Sequence, residues 1–513
     1  MLRKGRAFCM TLITKKGWSS ILCWFSAAVL LAVFVFLAFG NLSVWHIEDY
    51  DEARHGVNAY EMIRNNDYLV HTFQSEPDLW NTKPPLSFWM ISLSYRIFGY
   101  NAFALRFFSA FATVLAVLIL AVWAMKRYGK WAVPLLLLLF TANSILYGLH
   151  FTRFGDADSQ YQFFFTMAML CLLNSQKNFK WLYGCGLFFS LAFLEKSVHA
   201  LMIPAVCFFT LVFTGRLKEL TWKRILLLLA SALILVMVWA IARISRDGFA
   251  YFTNSYTLDV AGRVGGGLAD PKQANMPAIL YNLAVVLGLP YVTGTSELYF
   301  MPSPILCLMV CAGSGIILWV KKVRLTPFTR HAVIAGLLWI FVPVLLYSLM
   351  NVKFCWYIYS VLYALPVLTC VLVFTAIRSG VLKKTVRIAL GVFAAAMVAL
   401  SVLNVINIAN IRFDNTVQAF IQESLDRDLD SQKHAYILYA EDGYTDWMPA
   451  DVLTAEFYGD LHCMNGGLDA FREDNENSLL FIARTHNEDL IEGLMAEEII
   501  FYENYYCVAF EKF

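Results

Sequence analysis

The stretch WSSILCWFSAAVLLAVFVFLAF, residues 18–39, decides the class of fold. It contains about 22 residues and no charge, and about 20 apolar residues are enough for a helix to cross a bilayer. No small-residue cleavage site of a signal peptide follows it. It is preceded by five cations: Arg3, Lys4, Arg6, Lys15 and Lys16. The stretch is therefore interpreted as a signal anchor whose N-terminus remains in the cytoplasm.

The composition of the whole chain agrees with an integral membrane protein. Of its 513 residues, 59% are hydrophobic and only 15% are charged, whereas soluble domains have about 25% charged residues. Aromatic residues make up 16%, which suits belts of Trp and Tyr at the membrane surfaces. The net charge of +2 gives no indication of a nucleic-acid partner.

Basic clusters lie between alternate pairs of apolar segments, and the positive-inside rule assigns these clusters to the cytoplasm. They fall near 126–130, 177–180, 216–224, 321–324 and 378–387. The predicted spans are 18–39, 103–124, 131–149, 160–175, 181–194, 200–214, 225–242, 303–320, 332–350, 357–377 and 386–408. The sequence thus predicts an all-α polytopic membrane domain over 1–410, with about eleven transmembrane helices and up to thirteen.

Two segments depart from plain crossings. Residues 278–291 are apolar but too short to span, so a re-entrant or interfacial helix is expected there. Residues 181–213 are about 33 in number, yet two full crossings need about 40. The turn LEKSVH at 194–199 should therefore lie below the membrane surface, where charges are tolerated only if they line a polar cavity or pair with each other.

The last hundred residues have a different character. Residues 411–513 are polar enough for a small extracytoplasmic α/β domain, with strands at 435–440 and 479–483 and helices at 449–458 and 487–497. A terminal hairpin is expected from 499–502 and 506–510. Cys463 and Cys507 both fall in this domain, and an exported domain permits them to pair.

The ionisable residues of the membrane domain collect on the outer side of this topology. The first outer loop, 40–102, begins its charged part with YDEARHGVNAYEMIR (50–64), which also has the spacing of an amphipathic helix. The second loop is HFTRFGDADSQ (150–160), and a later loop contains NVKFCWYIY (351–359). Carboxylates suit a general base, and Lys and Arg suit a phosphate. The first loop, the second loop and the LEKSVH turn place mixed charges on one side, which favours an outer-leaflet cavity for a lipid-linked phosphate and a hydroxyl acceptor.

The first outer loop resembles that of the C-type glycosyltransferases, which include the protein O-mannosyltransferases and the lipid A aminoarabinose transferase. The resemblance is carried by the Asp-Glu pair and Arg of 50–64, followed by NTKPPLSFWMISLSYRIFG at 81–99. The second loop and the LEKSVH turn extend it over about 18–375. The chain departs from the family pattern at Asn81 and Thr82, where an acidic or aromatic residue is usual, and at Glu195 and Ser197.

This resemblance implies transfer of a sugar from a polyprenyl phosphate, undecaprenyl phosphate in bacteria, to an acceptor on the outer face of the inner membrane, with inversion of the anomeric centre. The acceptor is lipid A, an envelope glycan or a protein. It implies that Asp51 is the catalytic carboxylate of the first loop and that Asp158 or Asp156 is the second-loop acid. The cations implied as ligands of the carrier phosphate are Lys83, Arg263 and Lys353.

The charge types add further candidates, each with a structural alternative. Glu52 is a second candidate carboxylate, and the additional candidate phosphate ligands are Arg54, Arg153 and Lys196. Asp51 and the second-loop carboxylates are, however, also at positions that cap helices. Glu52 can instead pair with Arg54, and Glu195 with Lys196.

Two further questions are whether the site binds a metal and whether the protein is a transporter. No cofactor is required by the pattern; a divalent metal would have to use His55 or His199, for which structural roles are favoured. A transporter or flippase of a lipid-linked precursor is the alternative function. Transporters tend to place ionisable groups near the bilayer midplane within internal repeats, whereas the charges here collect at one end of the helices.

Overall fold

The computed structural model describes residues 2–148, 150–262, 277–289, 302–350, 353–413, 415–426, 433–438, 449–484 and 487–512, with side chains from residue 17 onward. Within these ranges the membrane part is helical, as predicted. The longer helices are α1 (Leu2–Phe39), α4 (Ala102–Tyr128), α6 (Asp158–Ser175), α7 (Trp181–Lys196), α8 (Met202–Phe213), α9 (Trp222–Asp247), α12 (Pro302–Val320), α13 (Pro327–Tyr347), α14 (Val361–Arg378) and α15 (Lys384–Ala409). The shorter ones are α2 (Asp51–Asn65), α3 (Leu86–Phe98), α5 (Ala132–Thr141), α10 (Ala250–Ser255) and α11 (Ala278–Val286).

Eight helical segments in the described part are long and apolar enough to cross a membrane. They confirm a multi-pass membrane protein. One of the eight, Trp181–Phe213, consists of α7 and α8. The predicted number of eleven crossings stays a prediction.

The chain reverses between α7 and α8, as expected for a hairpin, and the depth of this turn in the membrane stays a prediction. Lys196 ends α7 beside the second outer loop, where its amine contacts Asp158. Arg216, just after α8, donates to the Ser175 carbonyl at the opposite end of α6, at 2.8 Å. The two helices therefore run in opposite directions. Ser197 adopts φ 46° at the reversal.

The expected interfacial helix at 278–291 is observed in part. Its described portion is α11, which has nine residues. At 1.5 Å per residue this is about 13 Å, too short to cross. It packs against α13 and against the single-turn helix Cys355–Ile358, which borders the cavity described below.

The first outer loop forms a two-helix layer on the membrane domain. Its helix α2 begins at Asp51, as the amphipathic spacing predicted, and packs on α3. The short antiparallel strands β1 (Thr72–Phe73) and β2 (Glu76–Pro77) join the two helices. Ser92 of α3 donates to the Ala59 carbonyl of α2 at 3.0 Å.

The C-terminal region contains the predicted α/β domain. Its sheet has five strands in the order β4-β3-β5-β7-β6, formed by His462–Cys463, His434–Leu438, Ser478–Ala483, Cys507–Lys512 and Ile499–Glu503. Strands β4, β3 and β5 are parallel, and β5, β7 and β6 are antiparallel. The terminal hairpin is thus confirmed. Four helices accompany the sheet: α16 (Thr416–Leu425), α17 (Pro449–Gly459), α18 (Gly467–Glu473) and α19 (Glu488–Leu494).

Cys463 and Cys507 do not pair, and both are free buried thiols. Cys463 lies on β4 and Cys507 on β7, so β3 and β5 separate them. Neighbouring strands are about 4.8 Å apart, which puts the two residues well beyond the reach of a disulfide. The pairing that an exported domain would permit is therefore not formed.

The α/β domain rests on α2. Helix α17 packs along α2 so closely that a Cβ on Gly56 would lie 2.3 Å from Leu453. Gln418 exchanges two hydrogen bonds with the Ile47 backbone, at 3.0 and 2.8 Å. Arg64 pairs with Asp460 at 2.7 Å. The helix headed by Asp51 is thus held between the membrane domain and the C-terminal domain.

Candidate active site

A cavity of about 380 Å³ opens at the end of the helices where the loops predicted to be outer loops meet. Its lining includes Asp51 of the first loop, Lys83 before α3, His150 of the second loop and Lys196 at the end of α7. A wall of aromatic side chains, Phe354, Trp356 and Tyr357, closes one side. The structure therefore brings together residues that are more than 300 positions apart in the sequence.

Asp51 faces the cavity from the first turn of α2. Tyr50, and not Asp51, occupies the N-cap position of this helix. Burial alone would raise the pKa of Asp51, but the pKa is held well below its usual value by Lys83 first, and then by His150, His55 and Lys196. The positive end of the helix dipole favours the same charge state. Asp51 is therefore an ionised carboxylate surrounded by cations.

His150 connects the first and second loops. Its Nδ1 lies 2.5 Å from Asp156 Oδ2 and 3.9 Å from Asp51 Oδ2. Burial alone would lower the pKa of His150, but the hydrogen bond and charge of Asp156, followed by the charge of Asp51, raise it. The His150 ring is therefore held between two carboxylates, both of which favour its protonated form. Sequence reasoning missed this residue, because a single His in a loop has no diagnostic spacing.

Lys196 and Asp158 form a buried ion pair beside His150. The Lys196 amine contacts Asp158 Oδ1, and both side chains are 4% exposed. The amine also lies 5.7 Å from the centre of the Tyr357 ring. Lys196 thus pairs with Asp158, whereas the sequence had suggested Glu195. Asp156 in turn accepts the backbone N–H of Asp158 at 3.1 Å, so it shapes the start of α6 as well as holding His150.

Lys83 reaches the cavity from a loop that Arg54 helps to shape. Arg54 forms two bonds with Asp78, at 2.8 and 3.0 Å. Asp78 accepts the backbone N–H groups of Trp80 and Asn81, both at 3.0 Å. The predicted phosphate role of Arg54 is not favoured by this geometry, since its guanidinium is engaged by Asp78 and lies over the Phe73 ring at 4.0 Å.

Glu52 points away from the cavity into a buried ion pair. Arg106 of α4 donates to both of its carboxylate oxygens at 2.7 Å, and the two side chains are 1% and 2% exposed. The backbone N–H groups of Gly155 and Glu48 also bond to Glu52, at 2.8 and 2.9 Å. With each oxygen accepting two bonds, Glu52 is engaged in joining the first loop, the second loop and α4. Neither a catalytic role nor the suggested pair with Arg54 fits this position.

Arg153 is also structural in this arrangement. It donates to the carbonyls of Leu37, Gly40 and Asn41, at 3.1, 2.8 and 3.1 Å. These carbonyls lie at the C-terminal end of α1, where a cation is stabilising. Its predicted contact with a substrate phosphate is therefore not favoured.

Three of the remaining candidates, Lys353, His55 and His199, lie beside residues that line the cavity. Lys353 directly precedes Phe354, whose ring lines it. Arg263 lies outside the described residues. His55 is buried, with Nδ1 2.5 Å from the Asp51 carbonyl, and His199 packs against Tyr357 with ring centres 4.9 Å apart.

A different group has the donor atoms for a cation. The ligand atoms of His150, Asp156 and Asp158 lie within 4.8 Å of one another, a set suited to a divalent metal. In the described part of the chain, neither of the two histidines considered from sequence belongs to it. The carboxylates of this group already face His150 and Lys196, so the group is electrostatically balanced as it stands.

The floor of the cavity includes Asp259, from the short helix Tyr256–Gly262. The Thr82 hydroxyl donates to Asp259 at 2.5 Å, and Tyr251 donates to the Thr82 carbonyl at 2.7 Å. Thr82, where the sequence departs from the family pattern, therefore ties the Lys83 loop to this helix.

Backbone strain marks the same place. Tyr50, His150 and Ser197 have φ of 65°, 55° and 46°. Each lies at the cavity or directly beside a residue that lines it. Positive φ is uncommon for such residues and clusters at functional sites. This signal is absent from the sequence, where none of the three is a glycine.

Comparison with known proteins identifies the class of fold. A protein-family model described as dolichyl-phosphate-mannose-protein mannosyltransferase matches residues 82–242. The crystal structure of ArnT from Cupriavidus metallidurans bound to undecaprenyl phosphate matches with a TM-score of 0.68 and 14% identity, covering 94% of this chain and 97% of that one. The fold is thus that of the C-type glycosyltransferases, and the resemblance seen in the sequence is confirmed.

The curated relatives match a smaller part of the chain. An undecaprenyl phosphate-alpha-4-amino-4-deoxy-L-arabinose arabinosyl transferase 2 of Pseudomonas fluorescens is 26% identical over 228 residues, 42% of this chain and 40% of the relative. An uncharacterised protein of Aquifex aeolicus is 29% identical over 189 residues, 36% of this chain and 37% of the relative. The matched part spans about two-fifths of the length of these relatives.

Proposed function

We propose that the protein is a membrane glycosyltransferase that moves a sugar from a polyprenyl phosphate, of the undecaprenyl type, to a hydroxyl acceptor. The observation that carries the proposal is the cavity in which ionised Asp51 faces Lys83 and Lys196. A carboxylate can accept a hydroxyl proton, and the amines can hold a phosphate. The Pseudomonas fluorescens relative reported above is named as a transferase of undecaprenyl phosphate-linked aminoarabinose, which supports this donor class.

In the proposed reaction, the acceptor oxygen attacks the anomeric carbon of the donor sugar. The bond from that carbon to the phosphate oxygen breaks, and its electron pair leaves with the phosphate. The acceptor proton passes to Asp51, which contributes about 10²–10⁴-fold as a general base. Attack from the side opposite the phosphate inverts the anomeric centre. The leaving phosphate needs no proton, because cations stabilise its charge.

The same cations explain how a carboxylate of low pKa becomes a useful base. Lys83 is the first of the groups that lower the pKa of Asp51. When the donor phosphate binds Lys83, the negative charge of the phosphate offsets the positive charge of the amine. The pKa of Asp51 then rises, and its basicity increases only when the donor is bound.

The other groups of the cavity have supporting roles in this proposal. His150 and Lys196, held in place by Asp156 and Asp158, both favour the ionised form of Asp51. Trp356 packs against His150, with ring centres 4.0 Å apart and an angle of 35° between the rings. With Phe354 it offers an apolar wall for a sugar face or the first isoprene units. Lys353 remains a proposed second ligand of the phosphate.

The cellular setting is proposed from charge. The basic clusters of the loops put the opposite ends of the helices in the cytoplasm. The cavity and the C-terminal domain then face outward from the inner membrane, and the N-terminus lies in the cytoplasm. The acceptor is an extracytoplasmic hydroxyl of lipid A, an envelope glycan or a protein.

The experiment is transfer in proteoliposomes, with an undecaprenyl phosphate-linked sugar as donor and release of undecaprenyl phosphate as readout. D51N should lower turnover by about 10²–10⁴-fold without changing the melting temperature. The control is D67N, which removes a partly exposed first-loop carboxylate paired with Arg246; it should stay within twofold. Turnover of D51N within tenfold of wild type would exclude the base. Movement of donor across the bilayer without phosphate release would favour the transporter alternative.

A further inference from the structure

A second cavity lies at the other end of the membrane helices. Its volume is about 380 Å³, and its lining comes from the end of α4, the α6–α7 turn, the α12–α13 turn and the end of α14. Helix α4 has 27 residues, about 40 Å, so this cleft and the candidate active site lie at opposite membrane surfaces. We call it the cationic cleft.

Five cations line the cationic cleft: Lys126, Arg127, Lys177, Arg324 and Arg378. None of its lining residues is acidic, and in the described part of the chain none of the five forms an ion pair with a carboxylate. They come from four of the five clusters that the positive-inside rule assigned to the cytoplasm. That rule explains the side of the membrane on which they lie. It does not explain why four separate clusters converge on one concave surface, where they repel each other.

Two of the cations are held in place. Arg127 donates to Asn174 at 2.6 Å and lies over the Phe328 ring at 4.3 Å. Arg378 lies over the Tyr128 ring at 5.4 Å. Stacked guanidinium groups keep their donors directed, which suits bidentate binding of phosphate oxygens. The other three cations are exposed and can move onto a ligand.

The N-terminus of α13 adds to the positive field. This helix of 21 residues begins after Thr326, and Thr326 and Thr329 both line the cleft. The Thr326 side chain already accepts the Thr329 N–H, so it is the helix dipole that favours an anion at this end. Hydroxyl groups of Thr375 and Ser379 border the same space. Polar donors therefore surround a site with no internal counter-charge.

The surroundings of the cleft point to a ligand with apolar tails. Trp319 near the end of α12 is 80% exposed, and Ile377, directly before Arg378, is 48% exposed. Both side chains belong to helices long and apolar enough to cross a membrane, and they lie within five residues of the lining residues Arg324 and Arg378, so acyl chains can reach them beside the cleft. Trp at this depth is typical of the membrane interface.

We propose that the cationic cleft binds the headgroup of an anionic phospholipid with two phosphates, in the leaflet opposite the candidate active site. Basic pockets between transmembrane helices recognise such headgroups. Five cations exceed the charge of a single phosphate, and a diphosphate headgroup can contact both stacked arginines while its chains pass Trp319 and Ile377. The inference is independent of the proposed sugar transfer.

The test measures lipid binding to the full chain in detergent by native mass spectrometry, with cardiolipin as the probe. The variant K126Q/K177Q/R324Q should bind cardiolipin at least about tenfold more weakly, since each cation contributes about 1 kcal/mol. The matched control is K383Q/K384Q/R387Q, which removes three exposed cations of the same membrane face outside the cleft. It should change binding less than twofold, and both triples should keep the wild-type melting temperature.

Three outcomes would overturn the proposal. Equal loss in the two triple variants would show that only general surface charge is involved. Phosphatidylglycerol binding as tightly as cardiolipin would remove the two-phosphate requirement. Displacement of cardiolipin by an equal concentration of inorganic pyrophosphate would show that a free anion, and not a lipid, is the ligand.

Discussion

Asp51 and Glu52 are adjacent in sequence but lie in two different regions. Asp51 lies in the cavity, with cations nearby and its first helical turn behind it. Glu52 lies on the rear side, in a bidentate pair with Arg106. In the rear region every bond of the carboxylate is satisfied within the fold. In the cavity, the charges are gathered but Asp51 has no bidentate partner, so a ligand can still change their balance.

The two regions therefore separate stability from activity. A buried pair that is completely hydrogen-bonded fixes loops in place, and removing one partner leaves an uncompensated charge. A carboxylate at the cavity has little influence on folding but acts directly on a reacting group. Each of the following substitutions tests whether this division holds.

The largest effect is expected in the rear region. E52Q should lower the free energy of unfolding by about 3–5 kcal/mol, because Arg106 would remain buried without its counter-charge. Thermal unfolding of the purified protein measures this. E48Q, which changes a partly exposed carboxylate, should stay within about 1 kcal/mol. An E52Q protein with normal stability and no turnover would reverse the assignment of the two carboxylates.

The next effect is expected in the cavity. K83Q should raise the KM for the lipid donor by about 10- to 100-fold, since a hydrogen bond to a charged group contributes about 1.5–3 kcal/mol. Its kcat and melting temperature should change much less. R96Q, at an exposed first-loop cation, serves as the control and should leave KM within twofold. A folded K83Q enzyme with the wild-type KM would contradict the proposed contact with the phosphate.

A smaller effect concerns pH. The pKa of His150 is raised because Asp156 and then Asp51 outweigh burial, so its charge is present at low pH and is lost as the pH rises through this raised value. Donor binding should weaken over the same range, because Asp51 and Asp156 lose a neighbouring cation. H150Q should lack this alkaline decline in kcat/KM. A pH profile identical to that of wild type would show that the charge of His150 is not used.

The smallest effect is expected where α2 meets the C-terminal domain. Burial first, and then Asp49, raises the pKa of Asp451 to about 8. A carboxyl with a raised folded pKa stabilises the fold below its unfolded pKa, about 3.9, and loses this contribution as the pH rises toward 8. D451N should reduce this loss of stability with rising pH. Its melting temperature at pH 8 should be roughly 2–5 °C above that of wild type. A decline of the same size in D451N would assign it to other groups.

Much of the fold was predictable because hydropathy and length constrain it strongly. Apolar length or alternation alone predicts the helix at 18–39, the chain reversal at 194–199 and the terminal hairpin. Asp51, Lys83 and Lys196 were likewise found from the charge pattern and the resemblance, and the structure brings them to one cavity.

The partners of charges were not predictable. Glu52 pairs with Arg106, 54 positions away, and not with the nearby Arg54. Arg153 binds the end of α1, over 110 positions earlier. Which carboxylate a cation meets is decided by helix packing, and local spacing carries no information on it. His150 and the cationic cleft depend on the same packing, so they emerge only from the structure.

The clasp of α17 on α2 has a consequence for biogenesis. Arg64 and its partner Asp460 are 396 positions apart, and the intervening chain contains the later membrane segments. During translation, α2 therefore remains without this contact until those segments have been synthesised. A chain that ends before α17 has an unclamped α2, so the candidate active site is complete only after the C-terminal domain has been synthesised.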